Sequence, residues 1–234
     1  MKICILTIAT NKYIEFIEPL YNSISENFLN GHEIECLLFT NLEVEECSDN
    51  VKVCQIEHEN WPIPTLKRYH YFLKERDFIL EHDYCFYLDA DMRIVGKVGE
   101  EIFGDIVATQ HPGWWHRDPK DFNYERRTSS TAYIPPGEGN MYYAGGFNGG
   151  KTDSYMKMSE KIVENVETDF KNDLIAIWHD ESHLNKYLYE NPPSLELTPS
   201  YCYPEAIMLN YPGWYVPFEP KILALEKNHS HYRS

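Results

Sequence analysis

Tyr84-Cys85-Phe86-Tyr87-Leu88 runs straight into Asp89-Ala90-Asp91. Five apolar or aromatic residues without a break suit a strand covered on both faces. Two carboxylates one residue apart then sit at the carboxyl end of that strand, where open α/β sheets bind ligands. Upstream, residues 2–9, 33–40 and 51–56 read as three more strands. Residues 14–28 place Ile14, Ile17, Tyr21, Ile24 and Phe28 at helical spacing, with Pro19 marking where the regular part begins. Residues 65–80 read as one helix with Leu66, Tyr69, Phe72 or Leu73 and Phe78 inward. Strand, helix, strand, strand, helix, strand predicts an α/β fold with a mainly parallel sheet flanked by helices.

Downstream of the acidic pair the texture changes. Residues 111–150 are rich in Gly, Pro and aromatics and read as a long irregular segment, the kind that carries function in a compact domain. Helices are expected again over 153–170 and 179–189, the latter ended by Asn191-Pro192-Pro193. No repeat, low-complexity tract or linker appears, so residues 1–234 read as a single domain.

The 234 residues carry 21 Lys+Arg against 37 Asp+Glu, a formal charge of −16. That balance opposes binding to duplex DNA by bulk electrostatics. With 43% apolar and 15% aromatic residues the chain is no disordered polymer. No stretch approaches the ~20 apolar residues of a membrane span, and no signal peptide is evident, so a soluble cytoplasmic protein is expected. The six cysteines form no CxxC pair, and Cys4, Cys36 and Cys85 lie in apolar runs. They read as reduced core residues.

Several groups can do chemistry. Asp89 and Asp91 can hold a hard cation such as Mg²⁺ or Mn²⁺, or decorate a solvated turn. Asp180 and Glu181 open a helix, either as capping groups or as carboxylates aimed into a cleft. His179 and His183 have the spacing of a zinc pair, but Asp180 stands where a zinc protease needs Glu. Gly145-Gly146-Phe147-Asn148-Gly149-Gly150 lacks the Gly-Lys-Ser/Thr ending of a phosphate loop. Its glycines serve close approach to a ligand or a turn or bulge between strands. Trp114, Trp115, Trp178 and Trp214 suit either the core or stacking on sugars.

Taken in order, further runs complete a pattern. They are His111-Pro112-Gly113, Tyr124-Glu125-Arg126-Arg127, Thr131-Ala132-Tyr133-Ile134-Pro135 and Tyr142-Tyr143-Ala144-Gly145-Gly146. Trp178-His179-Asp180-Glu181-Ser182-His183-Leu184-Asn185-Lys186-Tyr187 and Lys227-Asn228-His229 follow. The chain resembles, over nearly its whole length, the retaining glycosyltransferases of family 6, which include the histo-blood-group A and B enzymes and the α1,3-galactosyltransferases. The resemblance implies a GT-A-type fold with a Rossmann-like nucleotide-binding half, residues 1–110. An acceptor-binding half, residues 111–234, would carry the catalytic carboxylate and a closing tail. It also implies a UDP-sugar donor, Mn²⁺ on Asp89 and Asp91, and transfer with retention to the 3-hydroxyl of a galactose.

By the same resemblance, Glu181 is the catalytic carboxylate. Ile8, Ala9, Thr10, Tyr13, Arg68, Ala90, Ala144, Gly145, Gly146, His179, Asp180, Lys227 and Arg233 join the two aspartates at the donor. His111, Asn123, Trp178, Glu181 and Glu205 face the acceptor; where the animal enzymes place an acceptor-binding aspartate this chain has Pro204-Glu205, so either Glu205 substitutes for it or acceptor choice differs. The animal enzymes' anchor and stem are not seen, which resembles the soluble prokaryotic or phage-type members. Some bacterial members lack the acidic pair; this chain keeps it, so metal dependence is expected. Two glycines in the triplet Ala144-Gly145-Gly146 imply room for an acetamido group, hence UDP-GalNAc over UDP-Gal, with Fucα1-2Gal as first acceptor and unsubstituted β-galactosides second. The competing classes are a metal-dependent nucleotidyltransferase, which would release pyrophosphate from UTP, and a lectin, which would bind glycans without UDP.

Overall fold

A computed structural model describes residues 1–44, 48–208 and 216–232. Cys47, Trp214 and Arg233 lie outside the described residues. The chain begins with strand β1 (Lys2–Ile8), a 3₁₀ stretch (Asn11–Phe16) and helix α1 (Ile17–Asn27). Strands β2 (Glu33–Thr40) and β3 (Val51–Gln55) follow, then three short helices: α2 (Ile63–Leu66), α3 (Arg68–Lys74) and α4 (Arg76–Ile79). Next come β4 (Tyr84–Leu88), β5 (Met92–Ile94), β6 (Ile106–Gln110) and β7 (Tyr143–Lys151). Helices α5 (Thr152–Lys171) and α6 (His179–Glu190) precede β8 (Leu195–Leu197), β9 (Tyr203–Pro204), α7 (Glu205–Met208), β10 (Ile222–Ala224) and α8 (His229–Tyr232).

Seven strands make one sheet in the order β3-β2-β1-β4-β7-β6-β8. β1 pairs in parallel with β2 and β4, β2 with β3, and β6 with β8. Only β7 is reversed against its neighbours β4 and β6. The expected α/β layering with a mostly parallel sheet, of the GT-A type, is therefore present. Alternation along β1 shows both faces covered: Cys4 and Leu6 pack with Tyr69, Phe72, Tyr155 and Leu184, beneath α3, α5 and α6. Ile3 and Ile5 pack with Leu20 and Ile24 of α1 and with Met92, Ile94 and Ile222. The last three belong to the small second sheet β5-β10-β9. The five described cysteines are buried and free, as read from the sequence. Among the described residues no helix is long and apolar enough to cross a membrane.

Three sequence expectations change. The helix expected over 65–80 is broken at Lys67 (φ −89°, ψ 8°) and Glu75 (φ −107°, ψ 21°). Both residues are tied elsewhere, Lys67 to Glu59 at 2.6 Å and Glu75 to Lys52 at 2.7 Å; such contacts outweigh weak helical preference. The run 14–28 begins as a 3₁₀ turn and becomes α-helical at Ile17, so Pro19 falls within the first turn, where its missing N–H costs nothing. The irregular segment ends early, because residues 143–151 form a central strand. Glycine is a poor strand former, but a Cβ at Gly149 would fall 2.4 Å from the Cys85 carbonyl oxygen, so only glycine lets these strands pair.

Candidate active site

The carboxyl end of β4 sets the first wall. Alternation puts Tyr87 and Asp89 on one face, and the Tyr87 hydroxyl donates to Asp89 Oδ1 at 2.5 Å. The Asp89 amide donates to the Gly146 carbonyl at 3.0 Å, carrying the β4–β7 ladder one step past the strand. Arg68, 2% exposed, fans its guanidinium over three partners. Nη1 donates to the Gly145 carbonyl at 2.7 Å, while Nη2 lies 3.4 Å from Asp89 Oδ1 and 3.1 Å from Asp180 Oδ2. Burial opposes the guanidinium's charge, but Asp180, Tyr87 and Asp89 hold its pKa above the usual value. Asp91 is reached from the chain's other end. Leu225 N–H donates to its carbonyl at 2.9 Å, and the Lys227 ammonium pairs with its carboxylate.

The second wall is Glu181. Pairing between β6 and β7 shifts register after Ala108, from Asn148 to Ala144, so residues 145–147 bulge away from β6. That bulge frees the Gly145 N–H, which donates to Glu181 Oε2 at 2.8 Å. The Tyr142 hydroxyl donates to Oε1 at 2.9 Å. Helix α6 is docked on β7 by Asn185, whose side chain accepts from Tyr143 N–H and donates to Tyr143 C=O, each at 2.8 Å. The helix opens through His179 at φ 53°, a left-handed conformation uncommon outside glycine, which turns Asp180 and Glu181 inward within one residue. Burial pushes Glu181 up to about 6, against the pull of the Gly145 and Tyr142 hydrogen bonds. Burial likewise pushes Asp180 up to about 7, against Arg68. Burial holds His111 down at about 4, so its ring is neutral.

Two cavities meet between these walls. One is lined by Ile8, Thr10, Tyr13, Trp61, Asp89, Ala90, Asp91, Lys227 and Tyr232. The other is lined by Asp89, Asp91, Met92, His111, Ala144, Gly146, Glu181 and Cys202. Both aspartates belong to both cavities, and Glu181 shares the second with them. The tail closes the first: the Tyr232 ring rests 5.4 Å from Tyr13 and 4.9 Å from Phe16.

Not every expected residue reaches these cavities. Ala9 is fully buried, its N–H bonded to the Phe39 carbonyl. Asp180, 4% exposed, stands behind Gly145 against Arg68. His179 packs edge-on against Trp61 at 4.8 Å, and Trp178 is 43% exposed and lines neither cavity. Neither Asn123 nor Glu205 lines either of these two cavities; Glu205 accepts from the Glu226 amide at 2.9 Å. Sequence reasoning left out Tyr142, Tyr87, Met92, Cys202 and Tyr232 as site residues. The alternation placing Tyr87 beside Asp89 is legible in the chain; the approach of Tyr142 to Glu181 is not.

The residues suit a hard cation. The donors are oxygen only, and the Lys227 ammonium on Asp91 shows positive charge accommodated there. Among the described residues no three His, Cys, Asp or Glu side chains cluster as a full ligand set. A cation would therefore complete its shell with phosphate oxygens and water, as Mg²⁺ and Mn²⁺ do with nucleotide substrates.

The family model for glycosyltransferase family 6 matches residues 1–233. The histo-blood group ABO system transferase 1 of Rattus norvegicus is 31% identical over 97% of this chain and 67% of its own length. The O-antigen biosynthesis glycosyltransferase WbnI of Escherichia coli is 35% identical over 88% of this chain and 89% of its own. The globoside alpha-1,3-N-acetylgalactosaminyltransferase 1 of Gallus gallus is 32% identical, covering 86% of this chain and 61% of that protein. With the family model matched over residues 1–233 and relatives at 31–35% identity, the chain belongs to glycosyltransferase family 6.

Proposed function

We propose that this chain transfers N-acetylgalactosamine from UDP-GalNAc, with retention and with a divalent cation, to the 3-hydroxyl of a galactose, Fucα1-2Gal being the first acceptor. The observation that carries this reading is the cavity shared by Asp89, Asp91 and Glu181. Ile8, Thr10 and Tyr13 line the neighbouring cavity on the nucleoside side. A cation such as Mn²⁺ on the two aspartates would neutralise charge on the diphosphate as it leaves. Lys227 adds positive charge on the tail side. Arg68 holds the Gly145 carbonyl and flanks Asp89, which keeps the bulge and the first wall in register.

Glu181 is the group that meets the anomeric carbon. With a pKa near 6 it is mostly ionised at neutral pH, while its hydrogen bonds fix where the carboxylate points. It acts as a nucleophile that forms a glycosyl–enzyme bond, or it steadies an oxocarbenium-like centre while the acceptor enters from the leaving-group side. Neutral His111 lines the same cavity and can hydrogen-bond an acceptor hydroxyl without repelling a cation.

Ala144 and Gly146 alternate along the bulged strand and both line this cavity. Their small size supports a donor with a 2-acetamido group; UDP-Gal is the alternative donor. The relatives add support, since one is a globoside alpha-1,3-N-acetylgalactosaminyltransferase. The test is one assay: protein with UDP-GalNAc or UDP-Gal, Mn²⁺ or EDTA, and a panel of galactosides, reading UDP release and product linkage. Faster transfer from UDP-Gal reverses the donor assignment, and full activity in EDTA removes the cation. Glycan binding without turnover leaves the lectin reading.

A further inference from the structure

Two of the sequence runs, around Tyr124–Arg127 and Thr131–Pro135, contribute no group to the reaction above, yet they hold an unusually dense set of polar contacts. Glu125 is 2% exposed. Its Oε1 accepts from the Arg127 amide and Nε, both at 2.9 Å, and its Oε2 from Arg127 Nη2 at 2.5 Å. Oε2 also accepts the Ile177 amide at 2.8 Å, and Arg127 Nη2 donates to the Ile175 carbonyl at 2.7 Å. The run closes on itself, with Ile134 N–H on the Glu125 carbonyl and Arg126 on the Ile134 and Pro135 carbonyls. On its other side the Tyr124 hydroxyl donates to the Met141 carbonyl at 2.6 Å, and its ring lies 5.3 Å from Tyr142.

The two segments gripped this way are the ones that meet at the reaction centre. Residues 175–177 lead into Trp178 and Glu181, and Met141 precedes Tyr142, which donates to Glu181. Apolar packing cannot hold 175–177 in place, because Ile175 and Ile177 are 40% and 49% exposed and only Ala176 points inward. Its position rests on the polar contacts.

We propose that Glu125, acting with Arg127, is a positioning residue for Glu181: a buried carboxylate held by a half-exposed guanidinium, a buckle that fixes the approach to α6 beside Tyr142, the residue that leads into β7. This rests on the role given to Glu181 above. A carboxylate already satisfied by four donors is rigid, and a reacting group misplaced by about 1 Å can lose on the order of 100-fold in rate.

The test compares the native chain with Arg127→Gln and Glu125→Gln. Arg127 is half exposed, so its replacement spares the core should Glu125→Gln fail to fold. Each is read by hydrogen exchange, by UDP affinity with Mn²⁺, and by kcat with saturating donor and acceptor. Exchange is expected to rise in a peptide covering 174–182 and to stay protected over 2–9, with UDP affinity within about twofold and kcat down about 10–100-fold. Unchanged exchange over 174–182 overturns the proposal. So does a kcat loss matched by an equal loss of UDP-binding sites, which marks a folding role. A native protein that transfers no sugar, while exchange changes only over 174–182, sinks the functional reading and leaves the buckle standing.

Discussion

The two walls of the cleft carry carboxylates by different means. Asp89 and Asp91 stand at the tip of β4, a strand whose backbone is locked by β1 on one side and β7 on the other. Glu181 stands on the first turn of a helix reached through an exposed segment and a left-handed residue, and it is aimed by single hydrogen bonds from Tyr142 and Gly145. The end of a strand paired on both sides tolerates loss of a side-chain contact because its ladder remains. A carboxylate aimed by individual contacts does not.

Substituting both wall-one carboxylates probes charge without disturbing the ladder. Asp89→Asn with Asp91→Asn is expected to cost at least about 1,000-fold in kcat and to abolish any response to Mn²⁺, with melting temperature little changed. A variant that keeps its Mn²⁺ response shows that the cation sits elsewhere. Glu181→Gln keeps the shape of wall two and removes the charge. Its kcat is expected to fall by more than about 100-fold, some 2.7 kcal/mol of barrier, and near-normal turnover would take Glu181 out of the reaction.

Tyr142→Phe sharpens the contrast, since among the described residues its hydroxyl is the donor seen on Oε1. A hydrogen bond to a charged group is worth at least about 1.5 kcal/mol, so roughly a tenfold loss of kcat is expected at neutral pH. The pH profile carries the sign. Activity needs ionised Glu181, so it falls as pH drops through about 6. The Tyr142 bond favours the ionised form, so its removal moves that limb upward; a limb that stays put assigns it to another group. At Gly146→Ala the effect is expected on donor choice, with the smallest change in overall rate. The new Cβ would lie 2.6 Å from the movable Met92 methyl and 3.1 Å from Asp89 Oδ2, on the cavity side. Preference is expected to shift toward UDP-Gal by about 1–3 kcal/mol of discrimination, read as the ratio of kcat/KM for the two donors.

The same contrast explains what was legible beforehand. Residues 84–91 announced strand and paired carboxylates together, because an apolar run and the turn after it are local features. Asp180 and Glu181 were legible as helix-opening carboxylates, but capping and catalysis share that pattern. The short strands β5, β8, β9 and β10 span two or three residues each and show no period to read. The glycine run read as ligand approach or as a turn or bulge between strands; the structure makes it a bulged central strand, since its pairing is chosen by β4 and β6, both distant in the chain.

From the amino-acid order alone came the α/β layering, the acidic strand end and, through runs such as 178–187, the family resemblance. These depend on local periodicity and on short motifs whose residue types travel together. Tertiary structure alone decided that Asp89, Asp91 and Glu181 line one cavity, that a bulge frees the Gly145 amide, and that Glu125 grips a residue 52 positions away. The physical reason is that hydrogen bonds act within about 3 Å, and which groups come that close is set by packing of the whole sheet, not by spacing along the chain.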